Sequence, residues 1–546
     1  MTLSEQHAAA GGLTVRTTGA SLVSAAQTVL GAAADLPAAL VAKDATLWGP
    51  EASAEAALRL GWLDAVDTGR ALVPEVLALR ERLAAEGVDR VVLCGMGGSS
   101  LAPEVICAAA SRPLVVVDTT DPGQVRAALV ELERTVVVVS SKSGGTLETD
   151  SHRRAARAAF EAAGIDPADR VVVVTDPGSP FEKAAREEGS RAVFCADPDV
   201  GGRYSALTAF GLVPAGLAGV DITGLLDEAA ALSPVLGEVA DNPALLLGAV
   251  LGGGAVAGRD KLVLVTGDST GFGDWAEQLV AESTGKQGKG LLPVLVEALD
   301  APGTEPAADS HLAVVGSSAG ELPDGPHTSV IGPLGAQFLA WEYATAVAGV
   351  ALRINPFDQP NVQESKDNTA ALLERGTPHS EPLFVEGGVE VYATEDLLDP
   401  SGTVHDLAGA LTALLDAVPG RGYLAVTAYL DRQADAAAGQ LRALLAGRLA
   451  HPVTFGWAPR FLHSTGQFHK GGPQTGAFLQ VTGAVDEDLQ IPGRPFTFGR
   501  LQAAQALGDL LALIERGRPV LRLHLTDRAA GLESLLAAAS LRDGGP

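Results

Sequence analysis

Two loops rich in glycine and hydroxyl residues carry the clearest chemical signal in this sequence. CGMGGSSLAPE (Cys94 to Glu104) and SSKSGGTLET (Ser140 to Thr149) each follow a run of apolar residues and precede a helical pattern. Glycines allow backbone N–H groups to approach a ligand closely, and the start of the following helix turns its positive dipole end towards an anion. Both loops are therefore candidates for holding a phosphate group.

The first loop has two other interpretations. Gly95, Gly97 and Gly98 partly match the dinucleotide fingerprint G-x-G-x-x-G. Ser99 and Ser100, however, stand in the stretch that needs the third glycine of that fingerprint. A tight turn between a strand and a helix, with no ligand, would use the same residues. This loop by itself leaves these alternatives open.

The second loop offers more donors than the start of a helix requires. Its hydroxyl residues are Ser140, Ser141, Ser143 and Thr146, and Lys142 lies among them. An ordinary N-cap needs only one such hydroxyl. The surplus of hydroxyls beside a cation favours the binding of a phosphate monoester over simple capping.

Two further segments add a cation and a carboxylate. Arg203 follows two glycines in DVGGRYSALT, where a turn could present its guanidinium group to a pocket. Glu282 lies near the end of a helical pattern in QLVAESTGK, and a carboxylate shielded from water there could act as a general base. Taken singly, a structural arginine and a solvated glutamate are the alternatives.

The acidic composition limits the partners of the chain. Its 546 residues carry a formal net charge of −27, and long-range repulsion argues against a general binder of nucleic acid or of a membrane surface. Cys94, Cys107 and Cys195 lack the spacing of metal ligands and the density of a disulfide framework, which favours a reducing, cytoplasmic compartment. We expect neither a secretory signal nor a membrane-spanning segment.

The elements that must position these residues alternate along the chain. Residues 1–74 have an Ala-rich helical pattern and predict an N-terminal helical layer. Runs of valine and leucine then alternate with helical segments in 75–258 and again in 259–373. Because strands buried on both faces are typical of parallel sheets covered by helices, each range predicts a doubly wound α/β domain. After a polar linker, residues 383–546 predict an additional C-terminal α/β region.

Several strands can be placed from their apolar runs. The predicted strands are Val91 to Leu93, Leu114 to Val117, Thr135 to Val139, Val171 to Val174, Lys261 to Val265, Tyr423 to Tyr429 and Val520 to Leu525. Phe384 to Ala393 has the pattern of one further strand at the start of the C-terminal region.

Five segments, in the same order, resemble the glucose-6-phosphate isomerase family between about Arg90 and Lys366. GMGGSSLAPE resembles its first sugar-phosphate segment, SSKSGGTLET its phosphate loop, GGRYSALT its arginine segment, QLVAESTGK its base segment and INPFDQPNVQESK its lysine segment. The resemblance implies two sugar-isomerase (SIS) domains and a homodimer. It also implies interconversion of glucose 6-phosphate and fructose 6-phosphate, with no metal or organic cofactor.

The resemblance implies roles for individual residues. Glu282 would move a proton through a cis-enediol, and Arg203 would stabilise the negative oxygen of that intermediate. His463 and Lys366 would open the sugar ring. The residues implied to bind the substrate and its phosphate are Gly98, Ser99, Ser141, Lys142, Ser143, Thr146, Gln278 and Gln359. A non-catalytic sugar-phosphate sensor and a nucleotide-dependent oxidoreductase are the alternative functions.

The expected catalytic histidine departs from the order of the family. Its Gln-His-Ser segment would fall upstream of Lys366, where only His311 and His327 occur, in unrelated surroundings. A similar string, HSTGQFHKGG, begins at His463 in a glycine-rich stretch that we expect to be a loop. This late placement resembles the isomerase portion of fused transaldolase and glucose-6-phosphate isomerase proteins. His463 rather than His469 is the predicted catalytic residue.

Overall fold

The computed structural model describes residues 4–32, 34–267, 271–316, 322, 325–376, 380–395, 397–398 and 404–541. Its strands in chain order are β1 Glu5–Ala10, β2 Leu13–Thr18, β3 Arg90–Cys94, β4 Val115–Val117, β5 Thr135–Ser140, β6 Val171–Thr175, β7 Ala192–Cys195, β8 Lys261–Val265, β9 Leu292–Leu295, β10 Ser310–Gly316, β11 Thr328–Ile331, β12 Phe384–Glu386, β13 Val389–Ala393, β14 Tyr423–Tyr429, β15 Val453–Trp457, β16 Gly476–Gly483 and β17 Val520–Leu525.

Its α-helices in chain order are α1 Ala20–Ala32, α2 Leu36–Val41, α3 Ser53–Ala56, α4 Ala65–Ala85, α5 Leu101–Ala109, α6 Pro122–Ala128, α7 Leu147–Ala162, α8 Pro180–Glu187, α9 Ala209–Leu217, α10 Ile222–Leu232, α11 Pro243–Val256, α12 Phe272–Thr284, α13 Leu334–Leu352, α14 Val362–Arg375, α15 Leu407–Asp416, α16 Gln440–Ala446, α17 Gly466–Gly471, α18 Phe498–Ile514 and α19 Arg528–Ser540.

The first sheet is entirely parallel, in the order β4-β3-β5-β6-β7. Its central strands, β5 and β6, are valine runs buried along their whole length. The chain passes from β3 to the edge strand β4 and then back across to β5, so the strand order reverses between β3 and β5. Both phosphate-type loops follow these two strands, and the crevice at such a reversal is where open α/β sheets bind ligands.

The second sheet corrects the prediction of an N-terminal layer that is only helical. Four parallel strands, β8 to β11, carry the antiparallel hairpin β1-β2 at one edge. Gly11 and Gly12 make the hairpin turn at positive φ, and β2 buries alternate residues from Leu13 onwards. This period of two is a strand signal. Helices α1 to α4 make up most of the remaining N-terminal segment.

The third sheet lies in the C-terminal region and has a similar plan. Parallel strands β14 to β17 carry the antiparallel hairpin β12-β13 at one edge, in the order β12-β13-β17-β16-β14-β15. The single strand expected over Phe384 to Ala393 is therefore wrong. Gly387 and Gly388 both adopt positive φ and reverse the chain between two short strands.

The two largest of the hydrophobic clusters in the described structure hold much of these sheets. One runs continuously from Ala8 to Phe357 and joins the N-terminal segment to both of the first two sheets. A second core, from Val389 to Ala539, belongs to the C-terminal region alone. Largely parallel sheets covered by helices confirm the predicted α/β class. Within the described ranges, no helix is both long and apolar enough to cross a membrane.

Candidate active site

The loop after β3 is held against two other parts of the site. A Cβ atom added at Gly98 would lie 1.9 Å from the carbonyl oxygen of Gly202, so only glycine allows this approach. Gly97 adopts positive φ, and a Cβ there would lie 2.5 Å from the side-chain nitrogen of Gln278. Ser99 is half-buried at the end of this turn. The glycines therefore allow close packing between backbone segments.

Arg203 and Glu282 form a buried ion pair. Arg203 Nη1 lies 3.1 Å from Glu282 Oε1, and the two side chains are 3% and 11% exposed. Arg203 Nε donates to Ser283 Oγ at 2.8 Å, and Nη1 donates to Gln359 Oε1 at 2.9 Å. Its Nη2 donates to the carbonyl oxygens of Pro356 and Asp358. These bonds fix the guanidinium plane, and with it the position of the charge beside the carboxylate.

Gln278 connects the ion pair to the segment from His463 to Gly472, here called the histidine segment. It lies one turn before Glu282 on α12, and its Nε2 donates to Glu282 Oε2 at 3.1 Å. The same nitrogen donates to the main-chain carbonyl of His463 at 2.7 Å. Both carboxylate oxygens of Glu282 therefore have a partner, and the helix that carries the predicted base also holds the segment that carries the predicted ring-opening histidine.

The His463 ring lies against a carboxylate from the helix that follows β5. His463 Nε2 and Glu148 Oε1 are 3.0 Å apart. Glu148 lies in the first turn of α7, immediately after the second phosphate-type loop, and is buried. Burial alone would raise the pKa of Glu148, but the charge and hydrogen bond of His463, with the charge of Lys366, lower it to about 2. The carboxylate is thus an ionised acceptor for the imidazole N–H at neutral pH.

A cavity of about 370 Å³ opens beside this pair. Its walls come from the second phosphate-type loop, from α14, from the histidine segment and from α18, and its polar lining residues include Thr146, Glu148, Lys366, His463, Lys470 and Gln505. Lys366 is exposed on α14. The cavity therefore brings a candidate phosphate loop, a lysine and a carboxylate-oriented histidine to one place, although they come from segments far apart in sequence.

Two hydroxyl groups of the second phosphate-type loop accept hydrogen bonds from within the loop itself. Thr146 is the N-cap residue of α7, yet its side chain makes no capping hydrogen bond in the described structure. Ser141 Oγ accepts from the Gly144 N–H at 3.1 Å, and Ser143 Oγ accepts from the Gly145 N–H at 3.2 Å. Lys142 does not line the cavity. Its Nζ donates to the Pro198 carbonyl oxygen at 2.9 Å and lies 2.7 Å from Asp176 Oδ2.

The other histidines lie in different environments. The segment expected as a loop is a 3₁₀ turn, Arg460–His463, followed by the short helix α17. The helix turns His469 into an aromatic cluster with Tyr423 and Phe478, where burial lowers its pKa well below the usual value. His311 is buried in β10, where burial lowers its pKa to about 4.

Two polar residues of this site were missed by the sequence reasoning. Glu148 stands within the SGGTLET string, but an acidic residue in the first turn of a helix is ordinarily explained by the helix dipole. Gln505, which donates to Glu148 at 2.7 Å, lies 357 positions further along the chain. No spacing or motif in its Ala-rich helix marks it as part of a site.

Comparison with known proteins points to one family. The family model "Phosphoglucose isomerase" matches residues 80–242. A glucose-6-phosphate isomerase of Rubrobacter xylanophilus is 32% identical over 371 residues, which cover 55% of this chain and 86% of that protein. The chain belongs to the glucose-6-phosphate isomerase family.

Other members of the glucose-6-phosphate isomerase family match a shorter stretch. The protein from Rippkaea orientalis is 37% identical over 217 residues, which cover 37% of this chain and only 41% of that protein. The structure of a glucose-6-phosphate isomerase from Chlamydia trachomatis aligns with a TM-score of 0.54 and 19% identity, covering 69% of this chain and 91% of that one. At this identity the structural likeness shows a shared fold.

Proposed function

We propose that this protein interconverts glucose 6-phosphate and fructose 6-phosphate, an aldose–ketose isomerisation. The observation that carries the proposal is the continuous contact from Arg203 and Glu282, through Gln278, to the histidine segment beside the cavity. Moving a carbonyl between C1 and C2 needs a base at those carbons, a cation for the developing oxyanion and a proton carrier for ring opening. This arrangement supplies all three.

Glu282 is the proposed base for the isomerisation step. It would remove the proton from C2 and return it to C1 through a cis-enediol. Because Arg203 and Gln278 engage its two oxygens, the carboxylate is held in one orientation, which lowers the entropic cost of reaction. The permanent charge of Arg203 would stabilise the enediol oxygen as negative charge develops. Gln359, bonded to Arg203, would help to bind the sugar.

His463 and Lys366 are the proposed groups for ring opening. When Glu148 accepts from the Nε2–H of His463, the neutral ring keeps its lone pair on Nδ1. Nδ1 is then the atom that exchanges a proton with the sugar. Lys366 lines the same cavity and would assist this transfer.

The substrate phosphate is proposed to bind at the reversal point of the first sheet. The hydroxyl groups of Thr146, Ser141 and Ser143 would donate hydrogen bonds to the phosphate. Backbone N–H groups at the start of α7, and those at Gly98 and Ser99 before α5, would add further donors. Remote phosphate binding would orient the reacting carbons. A direct contact from Lys142 would require its ammonium group to leave Asp176.

A coupled assay on fructose 6-phosphate tests the proposal. Glucose 6-phosphate should form in an isomerisation step that contains no nicotinamide cofactor, and the product is then measured separately. A sugar-phosphate sensor would bind the substrate without turnover, and an oxidoreductase would need the cofactor in the first step. Binding without turnover would therefore overturn the proposed isomerase.

A homodimer in the cytoplasm completes the proposal, with α/β domains at 75–258 and 259–373 and a further region at 383–546. The cysteines support a reducing compartment, since the structure describes all three as free and burial raises the pKa of Cys94 and of Cys107 to about 12. Light scattering of the purified protein tests the dimer: a mass of one chain would contradict it.

A further inference from the structure

Helix α18 of the C-terminal region reaches the candidate active site through one buried glutamine. Gln505 Nε2 donates to Glu148 Oε1 at 2.7 Å, the same oxygen that lies 3.0 Å from the His463 ring. Gln505 is buried and also lines the cavity. One carboxylate oxygen is thus shared by the predicted ring-opening histidine and by a residue that lies outside all five family-like segments.

Two neighbours determine the orientation of this amide. Thr120 Oγ1 donates to Gln505 Oε1 at 2.7 Å, while Gln505 Nε2 faces the carboxylate. Because the pKa of Glu148 is about 2, its carboxylate is ionised at neutral pH and can only accept hydrogen bonds. A flipped amide would turn its oxygen onto another acceptor. The two hydrogen bonds that link Thr120, Gln505 and Glu148 therefore have one favourable arrangement of donors and acceptors.

The packing of α18 makes this arrangement rigid. At Gly508, one turn after Gln505, an added Cβ would meet the Thr369 side chain at 2.8 Å, so α18 packs closely against α14. At the next residue, Asp509 Oδ1 lies 2.5 Å from Lys470 Nζ in a pair that is almost completely buried. Lys470 follows His463 on the histidine segment. One face of α18 thus holds both the carboxylate that orients the imidazole and the segment that carries it.

We propose that Gln505 is a positioning residue for ring opening, which holds the Glu148 carboxylate so that it accepts from His463 Nε2. The inference rests on the proposed isomerase function and adds a residue of the C-terminal region to it. Without the Gln505 amide, Glu148 loses a donor and can rotate away from the imidazole. The ring then samples the tautomer with its proton on Nδ1, in which Nδ1 cannot accept the proton of the sugar. Proton transfer by Glu282 does not depend on this contact.

Two substrates separate the two steps. Glucose 6-phosphate must be opened before it reacts, whereas its 4,5-dideoxy analogue has no hydroxyl group with which to close a five- or six-membered ring. In Gln505→Met, which keeps the length of the side chain and removes the amide, kcat on glucose 6-phosphate should fall about 10- to 100-fold, with less than about a threefold change on the open-chain analogue. KM should change little, because Gln505 does not hold the phosphate.

Gln502→Met is the matched control. Gln502 is a buried glutamine on the same helix, one turn earlier, and lines a different cavity. Thr120→Val removes the hydrogen bond from Thr120 to Gln505, and Thr120 does not line the cavity. This variant should show a smaller loss of kcat on glucose 6-phosphate, again with little change on the open-chain analogue. If Gln505→Met fails to fold, Thr120→Val carries the test, since it removes the hydrogen bond that holds the Gln505 amide and should show a loss selective for the closed ring.

Nitrogen-15 shifts of the His463 ring supply a readout that a merely structural role would not move. The wild type should show the Nε2–H tautomer, and Gln505→Met should raise the fraction with the proton on Nδ1. Equal losses on both substrates, or an unchanged tautomer, would overturn the inference while leaving the isomerase intact. A wild type inactive on glucose 6-phosphate would instead overturn the proposed function, and the tautomer measurement would still decide whether Gln505 orients the histidine.

Discussion

At the scale of single residues, the candidate site contains two carboxylates whose oxygens form hydrogen bonds or ion pairs with specific side chains. Glu282 divides its two oxygens between Arg203 and Gln278, and Glu148 offers one oxygen to both His463 and Gln505. An anchored carboxylate loses little conformational freedom when a substrate arrives. Small changes at these positions should therefore affect turnover more than stability.

Glu282→Gln should abolish isomerisation, because the amide keeps the shape of the side chain but cannot accept a proton from carbon. The expected loss in kcat is about 10²-fold or more, with binding of a phosphorylated sugar acid nearly intact. Steady-state rates and calorimetric titration measure the two effects. Glu277→Gln is the control, since burial, with the charge of Asp274, raises the pKa of Glu277 well above its usual value and the amide mimics its neutral form. Near wild-type turnover of Glu282→Gln would remove it from the mechanism.

His463 and His469 should respond differently to alanine. His463→Ala should slow glucose 6-phosphate much more than the open-chain analogue, because its ring lines the cavity. His469→Ala should lower the melting temperature instead, since it leaves a void among Tyr423, Phe461 and Phe478. A selective loss on the closed ring in His469→Ala alone would move the assignment to that residue.

At the scale of elements, the two loops of the first sheet have different physical roles. The loop after β5 supplies hydroxyl groups at the start of α7, and the loop after β3 supplies close backbone contact. Both depend on glycines, but for different reasons. Each role can be tested by a substitution that affects one loop and leaves the sheet alone.

Alanine at both Ser143 and Thr146 should weaken phosphate binding more than it destabilises the fold. A hydrogen bond to a charged group contributes about 1.5–3 kcal/mol, so KM should rise about tenfold or more. Ser179→Ala is the control, because Ser179 caps α8 by accepting from the Glu182 N–H, and its loss should cost only about 1 kcal/mol of stability. A collapse of the melting temperature with unchanged affinity would favour capping for the double variant.

Gly98→Ala should disrupt the contact between the loop after β3 and the turn that carries Arg203. The new methyl group would lie 1.9 Å from the Gly202 carbonyl oxygen, so one backbone segment must move and carry Arg203 with it. We expect a lower melting temperature and a loss of kcat together. Gly202→Ala is the matched control, because a Cβ at that position meets nothing within 4 Å. Equal behaviour of the two variants in thermal melts and rate assays would contradict this packing argument.

At the scale of the whole molecule, a buried lysine two residues after the end of α12 contacts the segment before α14. Lys286 Nζ donates to the carbonyl oxygen of Asn355 and to Asp358 Oδ1, both at 2.6 Å. Burial, with the charge of Arg203, lowers the pKa of Lys286 to about 7, although Asp358 acts in the opposite direction. The ordinary value is 10.5, so the unfolded chain binds this proton more tightly than the folded one between these two pH values.

Stability should therefore rise with pH in a way that Lys286→Met removes. Between about pH 7 and 10.5 the unfolded state holds more protons, and the free energy of unfolding increases as pH rises through that window. Denaturant titrations of both proteins at several pH values measure the difference. Lys183→Met, at an exposed lysine, should keep the pH dependence of the wild type, because Lys286 is still present. A difference between wild type and Lys286→Met that does not grow from pH 7 to 10 would contradict the prediction.

The sequence by itself determined the elements whose signal is local. Lys261 to Val265 and Tyr423 to Tyr429 are strands with the predicted bounds, because their largely apolar runs need burial on both faces. Val520 to Leu525 also has the predicted bounds, and there Arg522 and His524 alternate with leucines. The two loops, Arg203 and Glu282 could also be picked out as candidates from the sequence, because the patterns of glycine, hydroxyl and charged residues that mark them span only a few neighbouring positions. The α/β class follows from the same alternation.

Only the tertiary structure decided how distant parts meet. The hairpins β1-β2 and β12-β13 complete sheets whose other strands lie far along the chain, and the contact of Gln505 with Glu148 crosses 357 positions. The 3₁₀ turn and α17 place the His463 ring at the cavity and the His469 ring in an aromatic cluster. Such contacts depend on which faces pack together, and packing of faces leaves no fixed spacing in a sequence.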